Sequence, residues 1–326
     1  MNKILIIDGN SLTYRGYYAT ANSPQGILTT STGIPTNAIL SMSNMISKII
    51  MDESPTHVFI AFDAGKKTKR HDLFPEYKGG RSKTPEELII QFPLIKEMIE
   101  KMNIKWYELK DWEADDIIAT IATIASKASY EIKILSSDKD LLQLVDENTE
   151  VLFNSKGVNL LKRYNNNNFF ELTGHFPNQV PDIKSIMGDS SDNLEGVKGI
   201  GIKGANKLIL EYGSLDKVYK NIEKIKISMQ KKLNDSKDIA ILCKELATLN
   251  RNIELPFSLE ETKYKFIVNQ ELLAFFKKYE LDSLVKRFEK YLVKNSSIKI
   301  SNNDQKNDPK NDSKNYKKTK YKNIIF

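Results

Sequence analysis

The sequence is poor in the residues that build disulfide frameworks and zinc sites. Its 326 residues include one cysteine, three histidines and two tryptophans. A single cysteine excludes an intrachain disulfide, which agrees with a reducing compartment. We interpret Cys243, at the end of an apolar run, as a small buried hydrophobic residue and not as a nucleophile.

Long apolar runs are also missing, so we expect no transmembrane segment. The first residues lead directly into a strand pattern without a signal-peptide layout, which predicts a cytoplasmic protein. Hydrophobic residues make up 40% of the chain and charged residues 28%, enough for a sizeable core in a water-soluble monomer.

Net positive charge is nearly absent from most of the chain, although the overall net charge is +7. Residues 294–326 hold nine lysines and three aspartates and so supply +6, which leaves +1 for the rest. The Asn, Lys, Asp and Ser content of this tail predicts disorder. Its end, Ile324-Ile325-Phe326, suggests a peptide that docks on a sliding clamp or a separate DNA polymerase. Nonspecific attraction of the lysines to DNA is the alternative.

What the sequence does have is a set of aspartates that terminate apolar runs. Asp8, Asp63 and Asp138 each follow a strand-like apolar segment, and helical patterns alternate with these segments. This alternation predicts an open, mostly parallel α/β sheet. Because parallel strands place their carboxyl ends along one edge, the three aspartates are expected to share one rim.

More acids occur in two other places. Glu113-Ala114-Asp115-Asp116 opens a helical segment, and Asp189 and Asp192 lie in a Gly/Ser-rich turn. Helix capping or turn chemistry explains each of these acids singly, but capping does not explain three strands that end in Asp. Carboxylates crowded into one cleft repel unless cations neutralise them. Oxygen ligands without neighbouring Cys or His favour magnesium or manganese.

The pattern divides the chain into three parts: an α/β core at residues 1–162, a helical region at 163–293 and the tail at 294–326. We expect further strands at Val151–Phe153 and Val158–Leu161. A helix is expected at Pro35–Met51. The helix that Pro85 starts is predicted to bury Ile89, Phe92, Ile95, Ile99 and Met102. The helix after Glu113 is predicted to bury Ile117, Ile118, Ile121 and Ile124. Later helices are predicted near 180–188, 203–212, 236–250, 269–278 and 282–293.

A basic segment follows Asp63 and runs over about residues 66–92. It is weakly apolar, so we interpret it as a mobile lid above the strand ends that attracts phosphates. Tyr77 in this segment could stack on an unpaired base. A solvated surface loop is the alternative, since charge runs often only solvate.

A glycine-rich stretch, residues 196–205, contains G-x-G-x-x-G at Gly199, Gly201 and Gly204. A dinucleotide site requires a preceding strand, whereas the residues before this stretch are turn-like. A hairpin between two helices, whose backbone N–H groups hold a phosphate, fits better. A plain interhelical turn is the alternative.

Taken together, these motifs resemble the 5′-nuclease family. The resemblance covers about residues 1–290 and is to the N-terminal 5′–3′ exonuclease domain of bacterial DNA polymerase I, and more distantly to flap endonucleases. The motifs are Asp8-Gly9-Asn10, Phe62-Asp63, Tyr77-Lys78 with Arg81, Glu113 to Asp116, Ser137 to Asp140, and Gly188 to Asn193. The resemblance implies a PIN-like sheet, a helical arch formed by the basic segment, and a helix-hairpin-helix-type motif at 196–205. Because the sequence ends before any polymerase region, we expect a stand-alone version.

The resemblance also implies the site residues. Two Mg²⁺ or Mn²⁺ ions would be held by Asp8, Asp63, Glu113 and Asp115 and by Asp116, Asp138, Asp140, Asp189 and Asp192. The residues implied at the reacting phosphate are Tyr77, Lys78 and Arg81. The residues implied in DNA binding are Arg15, Lys66, Lys67, Lys69, Arg70, Lys83, Lys198, Gly199, Gly201 and Lys203. A potassium ion on the backbone carbonyls of the glycine hairpin is implied as well.

The activity that the resemblance implies is metal-dependent 5′–3′ exonuclease and 5′-flap endonuclease cleavage in replication and repair. Its substrates would be DNA with 5′ flaps, nicks or free 5′ ends, and RNA primers. A PIN-type ribonuclease and a catalytically silent nucleic-acid clamp remain as alternatives. A haloacid-type phosphatase is set aside because Asn10 stands where a second aspartate would be required.

Overall fold

The structure, a computed structural model, describes residues 1–24, 26–154, 160–266 and 269–291. Its centre is a six-stranded sheet with the order β3-β2-β1-β4-β5-β6. The strands are β1 (Lys3–Asp8), β2 (His57–Thr68), β3 (Lys105–Asp111), β4 (Glu131–Ser136), β5 (Thr149–Asn154) and β6 (Leu161–Tyr164). All neighbouring strands are parallel except β5 and β6. The predicted mostly parallel α/β sheet is confirmed.

Helices cover both faces of this sheet and form the region after it. They are α1 (Gly9–Ala21), α2 (Asn37–Glu53), α3 (Lys69–Leu73), α4 (Glu86–Lys101), α5 (Ala114–Lys127), α6 (Phe169–Thr173), α7 (Val180–Met187), α8 (Ile202–Tyr212), α9 (Leu215–Lys220), α10 (Ile227–Asp235), α11 (Lys237–Ala247) and α12 (Gln270–Lys278). Residues 282–291 are helical too. The helices expected from the sequence are present, with boundaries that differ by a few residues. None of the described helices is long and apolar enough to cross a membrane.

In β1 and β2, side chains on both faces of the strand are apolar because helices cover both faces of the sheet. In β1, Leu5 and Ile7 belong to a core with α2, α4 and α12, whereas Ile4 and Ile6 belong to a core with α5. All four side chains are fully buried. The alternation of strand side chains thus splits one apolar run between two cores.

Two positions that the sequence predicts to be buried face outward. In α4, Leu88 is fully buried while Ile89 is 55% exposed, and in α5, Ile124 is 42% exposed. The prediction for both residues was wrong; in α4 the consecutive apolar residues Leu88 to Ile90 do not fix a helical face by themselves. The other positions predicted for α5 are buried.

One strand was not expected. β3 has the sequence KWYELKD, and five of its seven residues are half-buried. It forms the sheet edge beside β2, so its polar residues can reach water, and its apolar content is too low to mark it as a strand. Of the strands expected after residue 150, β5 is present. The strand expected at Val158–Leu161 shares only Leu161 with β6, and Val158 lies outside the described residues, as does the tail at 294–326.

The helical region packs directly onto the sheet. α12 contributes Leu272 and Phe276 to the core that contains Leu5. Backbone bonds also join the two regions, since the Tyr264 N–H donates to the Thr56 carbonyl at 2.9 Å. A separate apolar core lies among α7, α8, α9 and α10. The α/β part and the helical part are therefore held against each other, as expected.

The turn between α7 and α8 requires glycine at Gly196. Its φ is 64°, and a Cβ there would lie 2.3 Å from the Gly188 backbone nitrogen. We predict that Gly196→Ala lowers the free energy of unfolding by roughly 1–3 kcal/mol, because strain and backbone overlap add. Urea unfolding measures this change.

Gly201→Ala in the same turn is the matched control. A Cβ at Gly201 meets nothing within 4 Å, and its φ is −89°. This variant should stay within about 0.5 kcal/mol of the original chain. Equal effects of the two substitutions would contradict the close approach of Gly196 to Gly188.

Candidate metal centre and nucleic-acid cleft

Asp8 joins the end of β1 to the start of α1. One carboxylate oxygen accepts the backbone N–H of Ser11 at 2.9 Å and so caps α1. The other accepts the Ser136 hydroxyl at 2.6 Å, at the end of the neighbouring strand β4. The two hydrogen bonds of the Asp8 carboxylate thus both cap α1 and hold the side chain at the rim of the sheet. Asp8 is almost fully buried there.

Asp63 fixes the start of α5. Its carboxylate accepts the backbone N–H of Ala114 at 2.7 Å, and its own N–H donates to the Asn10 side chain at 2.9 Å. The residue before α5 is Glu113, and Asp115 lies in the first turn of the helix. The positive end of a helix dipole favours carboxylates there. One hydrogen bond thus brings the acids of α5 to the rim of the sheet.

Asp138 lies two residues beyond β4. Its N–H donates to the Ser136 hydroxyl at 2.9 Å, and its carboxylate accepts the N–H of Asp140 at 2.8 Å. The hydroxyls of Ser11 and Ser137 lie 2.5 Å apart and join the ends of β1 and β4. Five of the acids expected to bind metal line the resulting cleft, Asp8, Asp63, Glu113, Asp115 and Asp138, and Glu108 lines it as well. The expected common rim is present.

Three further aspartates form a second group. One carboxylate oxygen from each of Asp140, Asp189 and Asp192 lies within 4.8 Å of the others. Asp189 and Asp192 belong to the Gly/Ser turn, which folds as a single 3₁₀ turn capped by the Asp189 side chain. The ammonium of Lys184 donates to the carboxylate of Asp140 and, at 2.5 Å, to that of Asp189. The sequence reasoning did not identify Lys184.

Burial raises the pKa of several of these acids. It raises the pKa of Asp8 to about 7, with the nearby negative charge of Asp138 adding to the effect. Burial likewise raises the pKa of Asp63 and of Asp115. It also raises the pKa of Asp140 to about 7, despite the Lys184 ammonium beside it. A divalent cation among these oxygens would favour their ionised forms.

The donor set fits a hard divalent ion. The acids of both groups offer carboxylate oxygens, which Mg²⁺ and Mn²⁺ accept and which are not the Cys and His ligands of a structural zinc site. Cysteine is absent from the rim, since Cys243 is fully buried among Tyr77, Leu194 and Leu246. Its expected role as a small hydrophobic residue is confirmed.

Two cations of the basic segment reach the acids. Lys78 donates to Glu113 at 2.8 Å, and Arg81 donates to Asp192 at 2.8 Å. Burial works to lower the pKa of Lys78, but Glu113 and Asp192 outweigh it and raise that pKa. Both side chains therefore stay charged over the cleft.

Tyr77 lies beneath these cations and does not face the solvent. Its hydroxyl lies 3.4 Å from Glu113 and 3.4 Å from Asp192, and the residue is 3% exposed. The expected stacking of Tyr77 on an unpaired base does not fit this burial. The geometry gives Tyr77 a positioning role between the two acids.

Arg70 and Asp116 pair in the interior. Two nitrogens of Arg70 donate to the two oxygens of Asp116 at 2.5 and 2.8 Å, and Asn250 donates its N–H to the same carboxylate at 2.8 Å. Arg70 also donates to the Leu246 carbonyl at 2.8 Å. Asp116 is fully buried and Arg70 is 9% exposed. A DNA contact by Arg70 and a metal bond by Asp116 do not fit this placement.

The cleft has a volume of about 1990 Å³. Three residues expected to bind DNA line it: Arg15, Lys66 and Lys83. Two others point elsewhere, because Lys67 pairs with Asp72 at 3.1 Å and the Lys69 ammonium lies 4.0 Å from the centre of the Trp112 ring. Part of the basic segment has regular secondary structure, since β2 continues to Thr68 and α3 follows. The Lys78 N–H also donates to the Asp192 carbonyl at 3.0 Å.

The glycine hairpin connects α7 to α8, as the sequence predicts. Lys198, Gly199, Gly201 and Lys203 are all exposed on it. Gly199 has a φ of 79°, a conformation that favours glycine. The ammonium of Lys232, from α10, donates to the Gly199 carbonyl at 3.1 Å. The hairpin thus presents exposed lysines and backbone at the start of a helix.

The comparison with family models decides the family. A model described as the 5′-3′ exonuclease N-terminal resolvase-like domain matches residues 3–174, more than half of the chain. A model described as the 5′-3′ exonuclease C-terminal SAM fold matches residues 175–270.

The chain belongs to the 5′-3′ exonuclease family.

Curated relatives agree with this assignment. DNA polymerase I of Bacillus subtilis (strain 168) is 40% identical over 286 residues, which are 87% of this chain and 32% of that protein. DNA polymerase I of Lactococcus lactis subsp. cremoris (strain MG1363) is 44% identical over 267 residues, 81% of this chain and 30% of the relative. The chain spans about a third of the length of these relatives.

Solved structures share the fold of this chain. A T5 5′-exonuclease with bound zinc superposes with a TM-score of 0.62 at 24% identity, covering 76% of this chain and 90% of that one. The catalytic core of Rad2 in complex with a DNA substrate gives 0.55 at 16% identity, covering 85% and 88%. These similarities show a common architecture for the sheet and the helical region.

The Arg70–Asp116 pair yields a prediction about stability. We expect Asp116→Asn to lower the free energy of unfolding by up to about 3–5 kcal/mol, because the buried Arg70 guanidinium then keeps only its longer contact with the charge of Glu113, at 3.3 Å. The double variant Arg70→Met/Asp116→Leu should recover part of the loss. Urea unfolding of the three proteins without metal checks this. Unchanged stability of Asp116→Asn combined with weaker metal binding would instead make Asp116 a ligand.

Proposed function

We propose that the chain is a divalent-metal-dependent 5′–3′ exonuclease and 5′-flap endonuclease that hydrolyses DNA phosphodiesters. The observation that supports this most is the convergence of acids from β1, β2, β4 and α5 on one edge of the sheet, in a cleft with basic walls. Cleavage would leave a 5′-phosphate and a 3′-hydroxyl. The similarity to a T5 flap endonuclease solved with DNA and metal ions agrees with this reading.

The metal ions would be held by two groups of acids. The first group is Asp8, Asp63, Glu113, Asp115 and Asp138, and the second is Asp140, Asp189 and Asp192. Bound divalent ions supply an activated water and neutralise the charge that develops on the phosphate. Magnesium or manganese suits these oxygens. In this proposal Asp116 supports the centre from the interior through Arg70.

Lys78 and Arg81 would bind the phosphate that is cleaved. They already lie at the two acid groups, and their positive charges can meet negative charge as it grows on the phosphoryl oxygens. Glu113 and Tyr77 hold Lys78 in place, and Asp192 holds Arg81. These ion pairs keep the cations oriented before substrate arrives.

The DNA would contact two surfaces. The cleft, with Arg15, Lys66 and Lys83 in its wall, would take the strand with the free 5′ end, and the glycine hairpin would hold the duplex phosphates. Charge contacts of this kind read no sequence, which suits an enzyme for flaps, nicks and RNA primers. A potassium ion on hairpin carbonyls belongs to the same proposal. We also propose that the protein acts as a monomer in replication and repair in the cytoplasm. Its tail would dock on a sliding clamp or a separate polymerase.

A product map on a labelled double-flap duplex tests the activity. With Mg²⁺ we expect cleavage at the flap base and short 5′-phosphorylated products, and with EDTA no cleavage. Asp138→Asn should abolish the products while flap binding persists. Preferential cutting of RNA hairpins would favour the ribonuclease alternative, and binding without any metal-dependent cutting would favour the silent clamp.

Lys78→Met tests the role of the basic segment. We expect the single-turnover rate to fall on the order of 10²-fold with little change in flap affinity, because the positive charge matters most in the transition state. Lys133→Met is the matched control, since Lys133 pairs with Glu131 and Glu150 and is similarly buried, on β4. Equal single-turnover rates of the two variants would mean that Lys78 has no role in the reaction.

The hairpin lysines have a separate test. Replacing both Lys198 and Lys203 by alanine should weaken duplex binding and flatten the dependence of log K on log salt by about 0.9 per lysine. Fluorescence anisotropy at several salt concentrations measures the slope. An unchanged slope would mean that the duplex binds elsewhere.

A further inference from the structure

A buried lysine lies inside the second group of acids. Lys184 is on α7 and is 6% exposed. Its ammonium pairs with Asp140 and, at 2.5 Å, with Asp189. These two aspartates come from different parts of the chain, the turn after β4 and the turn after α7. Lys184 therefore bridges the two segments that build the group.

The charges of this group nearly cancel without any metal. Its three carboxylates face two cations of the protein, Lys184 and, through a 2.8 Å bond to Asp192, Arg81. The oxygens of the three aspartates lie within 4.8 Å of one another, a spacing at which one cation can bind all three. The Lys184 ammonium contacts two of these three aspartates, so it lies beside the oxygens that a divalent ion would bind.

We propose that Lys184 is the resident counter-ion of the Asp140, Asp189 and Asp192 group and competes with the second divalent ion for it. The inference rests on the proposed function, which assigns these aspartates to a metal. Lys184 is then a positioning residue with two effects. It keeps three buried carboxylates together in the metal-free protein, and it weakens the binding of the second ion, whose entry displaces the ammonium.

Coulomb's law gives the direction of the effect. A unit positive charge a few ångströms from a divalent ion in a buried site opposes binding strongly, and screening by salt is weak there. Substituting Lys184 by an uncharged residue should therefore strengthen the second ion's binding. It should also destabilise the metal-free protein, because the aspartates would lose one of their two cations.

Binding of Mn²⁺ alone, without DNA, tests the proposal. Isothermal titration calorimetry, with free Mn²⁺ counted by electron paramagnetic resonance, gives the affinity of each ion. For Lys184→Met we expect the second ion to bind roughly ten-fold or more tightly than in the original chain. Lys184→Arg, which keeps the charge, should stay near the original affinity.

The chain offers a matched control in Lys244. Its ammonium also pairs with two aspartates, Asp182 and Asp216, each at 2.9 Å, away from the acids of the cleft. Lys244→Met should leave both Mn²⁺ affinities unchanged. Should Lys184→Met fail to fold, Lys184→Gln can take its place, since its amide can still donate to the aspartates without a charge.

Thermal unfolding adds a second readout. Without metal, Lys184→Met should unfold at a lower temperature than the original chain, and saturating Mn²⁺ should raise its midpoint by more. An unchanged or weaker second affinity in Lys184→Met and Lys184→Gln overturns the role of Lys184. If neither the original chain nor any of its variants binds a second ion, the assignment of these aspartates to a metal is overturned.

Discussion

Many carboxylates lie at a largely buried edge of the sheet, and the rest of the structure depends on the positive charges that compensate them. Like charges at this spacing repel, and burial adds to the cost of ionising them. Four basic side chains supply the compensation: Arg70, Lys78, Arg81 and Lys184. Three come from the basic segment and one from α7. The acids of the sheet thereby hold two other parts of the chain in place.

These ion pairs serve the architecture more than they add stability. A buried ion pair gains little free energy over a well-packed apolar pair, because both charges are desolvated. Its geometry, however, is specific. The bidentate contact of Arg70 with Asp116 fixes the base of the basic segment, and Lys78 and Arg81 then lie over Glu113 and Asp192. Lys78 and Arg81, which pair with acids in the metal-free protein, are also the cations proposed to meet a DNA phosphate.

The helical region is linked to the acids through α7. This helix carries Lys184, ends at Met187 and leads through a tight turn into the glycine hairpin. The close approach of Gly188 and Gly196 shapes the turn that holds Asp189 and Asp192. The surface proposed to hold duplex DNA and the second group of acids are therefore adjacent parts of one folded unit.

The sequence by itself determined the sheet and most of the rim. The rule that parallel strands share an edge was enough to bring Asp8, Asp63 and Asp138 together, since it depends on chain direction alone. Only the tertiary structure decided which partner each charge meets. It separated Asp116 from the acids of the cleft, buried Arg70 and Tyr77, and placed Lys184 among the aspartates. Such pairings join residues far apart in the chain, 176 positions in the contact of Arg70 with the Leu246 carbonyl. Local periodicity carries no information about which distant side chain fills a given space.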